Sequence, residues 1–187
     1  MRIFIGIPFS GENKKDLGKI QKTIIEKSRG GRFSDPKNFH LTVKFIGEVE
    51  DEKLPEIIEV LKKTAKEESA FRLTLQGFGT FPKGKTCIPW LGVDKGLEDL
   101  VQLQEKIETA LEEVGYKKES RPFHPHMTFG RKVQLSSLDE AYLTEGLKQE
   151  RIIVEVSSIA VMESTRIHGE LVYPIVKEFP LKKAREL

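Results

Sequence analysis

The chain has very little cysteine, tryptophan and methionine, and it carries almost no net charge. Its 187 residues include one cysteine (Cys87), one tryptophan and three methionines. A single cysteine excludes an internal disulfide and a cysteine-rich zinc site, and it favours a reducing, cytoplasmic location. The formal net charge of +2 is too small for a strongly basic nucleic-acid binder.

Long apolar runs are also absent. A membrane-spanning helix needs about 20 consecutive apolar residues, and no stretch of this sequence supplies them. The chain length suits one domain, or two small lobes that share an interface. Because 38% of the residues are apolar, a hydrophobic core is expected. These properties predict a globular protein without membrane contact, and a monomer is expected.

The apolar spacing predicts a mixed order of helices and strands. Helices are predicted over residues 13–28, 52–68, 96–114 and 137–147. Strands are predicted over residues 2–9, 39–46, 71–75, 87–93, 126–131, 151–162 and 170–179. The Gly/Pro-rich segment between 75 and 87 is predicted to be a loop. The order divides into two similar halves, which favours an α+β fold with two similar lobes, sheets lining a central cleft and helices outside.

One short pattern occurs twice, once in each half. His40-Leu41-Thr42-Val43 and His126-Met127-Thr128-Phe129 both have the form His-x-Thr-apolar. In an extended strand, side chains two positions apart point to the same face. Each motif therefore presents one imidazole and one hydroxyl to the same side of a sheet. In the first strand, the alternation predicts that Lys44 shares this polar face.

Two histidines and two hydroxyls that face one cleft suffice for acid-base chemistry at phosphorus. Histidine has a pKa near 6.5, so one imidazole can accept a proton while the other donates one. Thr42 and Thr128 can donate hydrogen bonds to the phosphate oxygens. Arg131 follows His126 by five residues and can add a cationic donor. A single His-x-Thr motif is a weak signal, but two of the four histidines lie in matched motifs.

The residues around both motifs resemble a known family. Asn38–Glu48 and Pro125–Arg131 resemble the two signatures of the two-histidine (2H) phosphoesterases. The resemblance is strongest to the RNA 2′,3′-cyclic phosphodiesterases, also called the 2′-5′ RNA ligase family. The first residues, 1–7, and the segment 173–181 are similar as well, so the resemblance covers almost the whole chain.

The resemblance implies a fold, a reaction and a set of roles. The fold is a pseudo-twofold α+β structure with mainly antiparallel sheets, here a single domain over residues 1–187. The reaction opens a 2′,3′-cyclic phosphate at an RNA 3′ end, such as that of a tRNA half, and leaves a 2′-phosphate without metal or other cofactor. His40 is the proton donor to the departing 3′ oxygen, and His126 is the proton acceptor that activates water. Thr42, Thr128 and Arg131 bind the phosphate. The same site would allow 2′-5′ RNA ligation.

Three alternatives to this interpretation remain open. His124 and His126 could form half of a metal site completed by His40 and a carboxylate, although no third ligand has convincing spacing. The cleft could bind RNA ends without catalysis. The substrate could instead be a small cyclic nucleotide or an ADP-ribose cyclic phosphate.

Basic residues are concentrated before and within the first motif. They are Lys27, Arg29, Arg32, Lys37 and Lys44, opposed within that window only by Asp35. Such a cluster can form a basic rim that holds a few phosphates. The alternative is a solvated loop without a ligand, and charge alone favours it.

Overall fold

The computed structural model of the chain describes residues 1–184, within which four α-helices and twelve strands form. The helices are α1 (Gly11–Lys27), α2 (Leu54–Glu67), α3 (Leu97–Glu113) and α4 (Ser137–Gly146). The strands are β1 (Arg2–Pro8), β2 (Arg32–Phe33), β3 (His40–Glu48), β4 (Phe71–Lys83), β5 (Thr86–Val93), β6 (His126–Thr128), β7 (Gly130–Arg131), β8 (Ile152–Val156), β9 (Ser158–Glu163), β10 (Thr165–Ile167), β11 (Glu170–Val172) and β12 (Ile175–Pro180). Short 3₁₀ helices cover Pro36–Asn38 and Asp51–Lys53.

Two four-stranded antiparallel sheets form the framework. The His40 sheet has the strand order β12-β9-β1-β3, and the His126 sheet has the order β6-β5-β4-β8. In both sheets the motif strand is at the edge, and the two edge strands, β3 and β6, contact each other. This arrangement confirms the predicted α+β fold with antiparallel sheets that meet at the two motifs.

Strand β1 shows how the sequence separates core from cleft. Its isoleucines at positions 3, 5 and 7 are fully buried in the main hydrophobic core. Phe4 alternates with them and belongs to a second, small cluster with Ala160 and Met162 on the other face of the sheet. The period of two therefore gives this strand one face toward the helices and one toward the cleft.

The predicted division of the chain into two successive halves is wrong. The His40 sheet takes β9 and β12 from the end of the chain, while the His126 sheet takes β4 and β5 from the middle. The helices cross over as well, because α1 contacts β8 of the His126 sheet and α2 contacts β9 and β12 of the His40 sheet. Each half of the architecture is therefore assembled from both parts of the sequence.

Four strand predictions need correction. The predicted strand 126–131 is β6 and β7, and the predicted strand 170–179 is β11 and β12; each is divided between two sheets. β4 continues through the predicted loop to Lys83, and a register shift between Leu75 and Phe78 accommodates Gly77 at φ 90°. The predicted strand 151–162 is two strands, β8 and β9, which belong to different sheets. A continuous apolar run does not reveal that the chain changes sheets within it.

The sequence predicts that Ser137 caps the fourth helix and that Leu138, Ala141 and Tyr142 face inward, but α4 turns a different face inward. The capping hydroxyl is that of Ser136, which accepts a hydrogen bond from Asp139 N (3.1 Å). Leu138 and Tyr142, predicted to be buried, are 84% and 58% exposed, and Leu143 is the buried residue. In a short helix with few apolar residues, the spacing alone does not determine which of them face inward.

Lys44 does not share the polar face of β3, contrary to the prediction. The register runs from Gly6 opposite Thr42 to Ile5 opposite Lys44, so Val43 is an extra residue that forms a bulge. The bulge turns Lys44 to the core side, where its Nζ donates to Glu108 Oε2 (2.6 Å) and to Lys117 O (2.9 Å). Lys44 therefore cannot contribute to a basic rim.

Within residues 1–184, no helix has the length and the apolar character that crossing a bilayer requires.

The buried Lys44–Glu108 pair is expected to be essential for stability, since both side chains are almost completely buried. We expect Glu108→Gln to lower the free energy of unfolding by about 3 kcal/mol, because it leaves the Lys44 charge buried without a counterion. Urea denaturation measures this change. The matched control is Glu105→Gln on the exposed side of α3, which should change stability by less than about 0.5 kcal/mol. Equal effects of the two substitutions would contradict the assignment.

Candidate active site

The two motif histidines lie at equivalent places in the two sheets. His40 is the first residue of β3 and His126 is the first residue of β6. Their strands are in contact, and both imidazoles are half-buried. The fold therefore brings together the two residues that the sequence places 86 positions apart.

Each imidazole is held by the same local hydrogen bond. His40 Nδ1 donates to the carbonyl oxygen of Asn38 (2.7 Å), and His126 Nδ1 donates to that of His124 (2.6 Å). A carbonyl oxygen can only accept, so the proton of each neutral ring is on Nδ1 and the lone pair is on Nε2. Both rings thus keep Nε2 available for proton transfer.

One threonine contacts its histidine, and the other occupies the equivalent strand position. Thr42 Oγ1 is 3.1 Å from His40 Nε2 and can donate a hydrogen bond to it. Thr128 is opposite Trp90 in the β5–β6 ladder and is half-buried. Each sheet therefore supplies one hydroxyl at a position two residues after its histidine.

Aromatic rings surround both histidines, which the sequence reasoning did not identify. The His40 ring lies 4.8 Å from Phe4 and 5.0 Å from Tyr173, measured between centroids. The His126 ring lies 5.0 Å from Phe81 and 6.2 Å from Trp90. The alternation in β1 could have indicated Phe4.

The ring of Trp90 is accommodated by a glycine. A Cβ atom at Gly79 would lie 2.4 Å from the Trp90 ring, so only glycine fits opposite it. The sequence does not show that Gly79 lies opposite Trp90, because the Gly/Pro-rich segment around Gly79 predicts a loop and not a strand. The glycine thus leaves room for the indole next to the second histidine.

Burial controls the proton affinity of both histidines. The pKa of His40 is lowered to about 4, mainly by desolvation and also by the charges of Lys14 and His126, against the effect of the Asn38 hydrogen bond. Desolvation also lowers the pKa of His126, with contributions from the charges of His124 and Arg131. In the ligand-free protein both imidazoles are therefore neutral at pH 7.

Two cations lie close enough to influence these pKa values. Arg131 is exposed at the end of β7, just after the second motif. Lys14, on α1, was not predicted; its Nζ donates to Lys37 O (2.7 Å), one residue before the carbonyl that holds His40. Neither cation forms an ion pair with a carboxylate among residues 1–184. The surroundings of the two histidines are thus suited to an anion.

The residues proposed for a metal site or a basic rim are arranged differently. Within the described part of the chain, no group of three or more His, Cys, Asp or Glu is positioned to hold a metal ion. His124 packs against Trp90 and Phe81. Of the basic cluster, Lys37 pairs with Asp35 (3.1 Å), and Lys27 lies over the Tyr142 ring (4.0 Å).

Comparison with known proteins identifies relatives along most of the chain. A family model described as the 2′-5′ RNA ligase superfamily matches residues 27–167. A protein of Aquifex aeolicus (strain VF5) named RNA 2′,3′-cyclic phosphodiesterase is 29% identical over 97% of each chain. A protein of the same name from Methanocaldococcus jannaschii is 30% identical over 96% of this chain and 100% of its own. The crystal structure of E. coli LigT in apo form has a TM-score of 0.77 at 23% identity over 97% of both chains, which shows a shared fold.

The lowered pKa of His40 should make the protein less stable in mild acid. The unfolded chain binds a proton at this residue below about pH 6.5, whereas the folded chain resists it until about pH 4. The free energy of unfolding should therefore fall as the pH drops through this window, by about 1–2 kcal/mol at pH 5 relative to pH 7.5. His40→Gln should abolish this part of the fall in the free energy of unfolding. Denaturation of both proteins at pH 7.5 and pH 5 measures the difference.

The control for this measurement is His168→Gln, which alters an exposed histidine in the β10–β11 turn. It should leave the acid sensitivity of the protein unchanged. If His40→Gln were as acid-sensitive as the unmodified protein, burial of a neutral His40 would be refuted.

Proposed function

The chain belongs to the 2′-5′ RNA ligase superfamily, and we propose that it is an RNA 2′,3′-cyclic phosphodiesterase. The proposed reaction hydrolyses a 2′,3′-cyclic phosphate at an RNA 3′ end and leaves a 2′-phosphate. The observation that carries the proposal is the pair of imidazoles with available Nε2 atoms on two facing edge strands. The names of the relatives over most of the chain support the same activity.

His126 is the proposed general base. Its Nε2 has a free lone pair, because Nδ1 is occupied by the His124 carbonyl. In the proposed step, Nε2 takes a proton from water while the water oxygen forms a bond to phosphorus. A lowered pKa keeps His126 neutral at pH 7 and so ready to accept that proton.

His40 is the proposed general acid. As the bond from phosphorus to the 3′ oxygen breaks, His40 Nε2 delivers a proton to that oxygen. The ligand-free His40, with its pKa of about 4, is neutral, so it must gain this proton when the anionic phosphate binds. A negative charge close to an imidazole raises its pKa, and the substrate thereby prepares its own acid catalyst.

The remaining polar groups are proposed to stabilise charge. The hydroxyls of Thr42 and Thr128 donate hydrogen bonds to the non-bridging oxygens, on which negative charge accumulates in the transition state. Arg131 adds a cation at the edge of the site. This mechanism assigns no step to a metal, and a chelator should leave turnover unchanged.

The proposed partner is an RNA end that carries a 2′,3′-cyclic phosphate, as tRNA halves do. If a 5′-hydroxyl replaces water, the same two proton transfers join the strands by a 2′-5′ linkage. The two histidines and the two threonines come from both four-stranded sheets, which supports a single domain, and we propose that it acts as a monomer. Cys87 is buried and free, which supports a reducing, cytoplasmic setting.

The two histidines should be required for turnover but not for binding. We expect His40→Ala and His126→Ala each to lose at least ~100-fold in hydrolysis of a short RNA ending in a 2′,3′-cyclic phosphate, because each removes one proton transfer. RNA binding should change little. His168→Ala is the matched control and should be fully active. Unchanged turnover in both site variants would refute the assignment. If the unmodified protein showed no turnover and the two variants lost RNA binding, the result would favour a non-catalytic RNA-end-binding module.

A modified substrate separates the acid from the base. If sulfur replaces the 3′ bridging oxygen of the cyclic phosphate, the leaving thiolate needs no proton. We therefore expect His40→Ala to regain activity on this substrate to within about tenfold of the unmodified enzyme, and His126→Ala to remain at least ~100-fold impaired. Steady-state rates on the oxygen and sulfur substrates provide the comparison. Rescue of His126→Ala instead would mean that the two roles are reversed.

A further inference from the structure

A basic ribbon joins the second motif to the segment after α1. Residues 29–34 run antiparallel to residues 129–134, with Arg32 opposite Arg131 and Phe33 opposite Gly130. Backbone hydrogen bonds continue the pairing at both ends, from Arg29 N to Gln134 O (2.9 Å) and from Ser34 N to Phe129 O (2.9 Å). The ribbon therefore fixes the positions of its side chains relative to the active site.

The ribbon carries positive charge only. Its twelve residues contain Arg29, Arg32, Arg131 and Lys132 and no aspartate or glutamate. Arg32 and Arg131 are exposed, and neither belongs to an ion pair found within residues 1–184. Directly opposed residues of an antiparallel pair lie on the same face, and like charges placed so are destabilising. The fold thus maintains an unfavourable pair of arginines.

The pairing is held by interactions that leave it little freedom. The buried amide of Gln21 donates from Nε2 to Ser34 O (2.7 Å) and to Phe129 O (2.9 Å), tying both strands of the ribbon to α1. A Cβ atom at Gly130 would lie 2.8 Å from Arg32 O, so the strands approach this closely only with glycine there. The neighbouring Lys132 adopts φ 54°, which is unusual for a residue with a side chain.

The face that carries the two arginines is next to the reacting centre. Phe33 packs into the core, which puts Arg32 on the opposite, solvent-exposed face of β2. β7 follows β6 after a single residue, Phe129, and the charge of Arg131 acts on the pKa of His126, so Arg131 lies near that imidazole. The arginine pair therefore extends outward from the position of the cyclic phosphate.

We propose that Arg32, beside Arg131 at the edge of the site, binds the phosphodiester immediately upstream of the cyclic phosphate, so that the RNA end is held at two phosphates. This inference rests on the proposed function, because it names a second subsite for the same RNA. A phosphate at this place accepts charge-assisted hydrogen bonds from Arg32 and offsets the repulsion between the two like-charged side chains. The enzyme then prefers an oligonucleotide end to a free cyclic nucleotide.

Substrates with and without the upstream phosphate test the subsite. A nucleoside 2′,3′-cyclic phosphate with a free 5′-hydroxyl lacks it, and a dinucleotide ending in the same cyclic phosphate contains it. We expect a higher kcat/KM on the dinucleotide, and we expect the advantage to disappear when an uncharged methylphosphonate replaces the internal phosphate.

Arg32→Gln should lower kcat/KM on the dinucleotide about tenfold and change it less than about twofold on the nucleoside, since one charge-assisted contact is lost. The slope of log kcat/KM against log salt should decrease by about 0.7 on the dinucleotide. The matched control is Arg151→Gln, which removes an equal charge at an exposed site before β8 and should leave the preference intact.

Calorimetric binding of the 2′-phosphorylated dinucleotide and nucleoside repeats the comparison without chemistry, so the subsite and the proposed function can fail separately. If the protein hydrolyses neither of the two cyclic phosphates, the proposed function is refuted. Weaker binding of the dinucleotide by Arg32→Gln would still support the subsite in that case. Equal kcat/KM on both substrates, or an Arg32→Gln variant that keeps the dinucleotide preference in hydrolysis and in binding, would overturn the proposal.

Discussion

The hydrogen bond from each histidine Nδ1 to the carbonyl two residues earlier is the constraint on which the site depends. The bond from His40 to Asn38 O and the bond from His126 to His124 O are the same local device at the start of two edge strands. Each fixes the tautomer and the direction of the ring, so Nε2 is the atom left for chemistry. The sheets then need only to bring the two strand starts together, which the contact between β3 and β6 achieves.

Aromatic rings surround both histidines, but different residues supply them. Phe4 and Tyr173 enclose His40, whereas Phe81 and Trp90 enclose His126. The apolar rings desolvate both imidazoles and hold their pKa values below the usual range, so both start neutral. The protonation states of His40 and His126 therefore differ only after an anionic substrate has bound. The charge of the substrate is thus needed to produce the acid catalyst.

Local patterns in the sequence predicted which side chains share a strand face better than they predicted how the strands assemble into sheets. The His-x-Thr spacing placed an imidazole and a hydroxyl on one face of each strand, because strand periodicity is local. Lys44 broke the same rule, since the bulge at Val43 depends on the register against β1. The interleaving of strands between sheets and the ring of Trp90 over Gly79 are set by long-range packing, which a single sequence does not encode in any local pattern.

The regiochemistry of the product tests the central claim, an acid at the 3′ oxygen facing a base that activates water. Hydrolysis of an RNA 2′,3′-cyclic phosphate in ¹⁸O-labelled water, followed by phosphorus NMR of the product, locates both the phosphate and the new oxygen. The account predicts only a 2′-phosphate that carries one ¹⁸O atom. A 3′-phosphate, or a mixture of the two isomers, would contradict a cleft that protonates one oxygen of the ring and not the other.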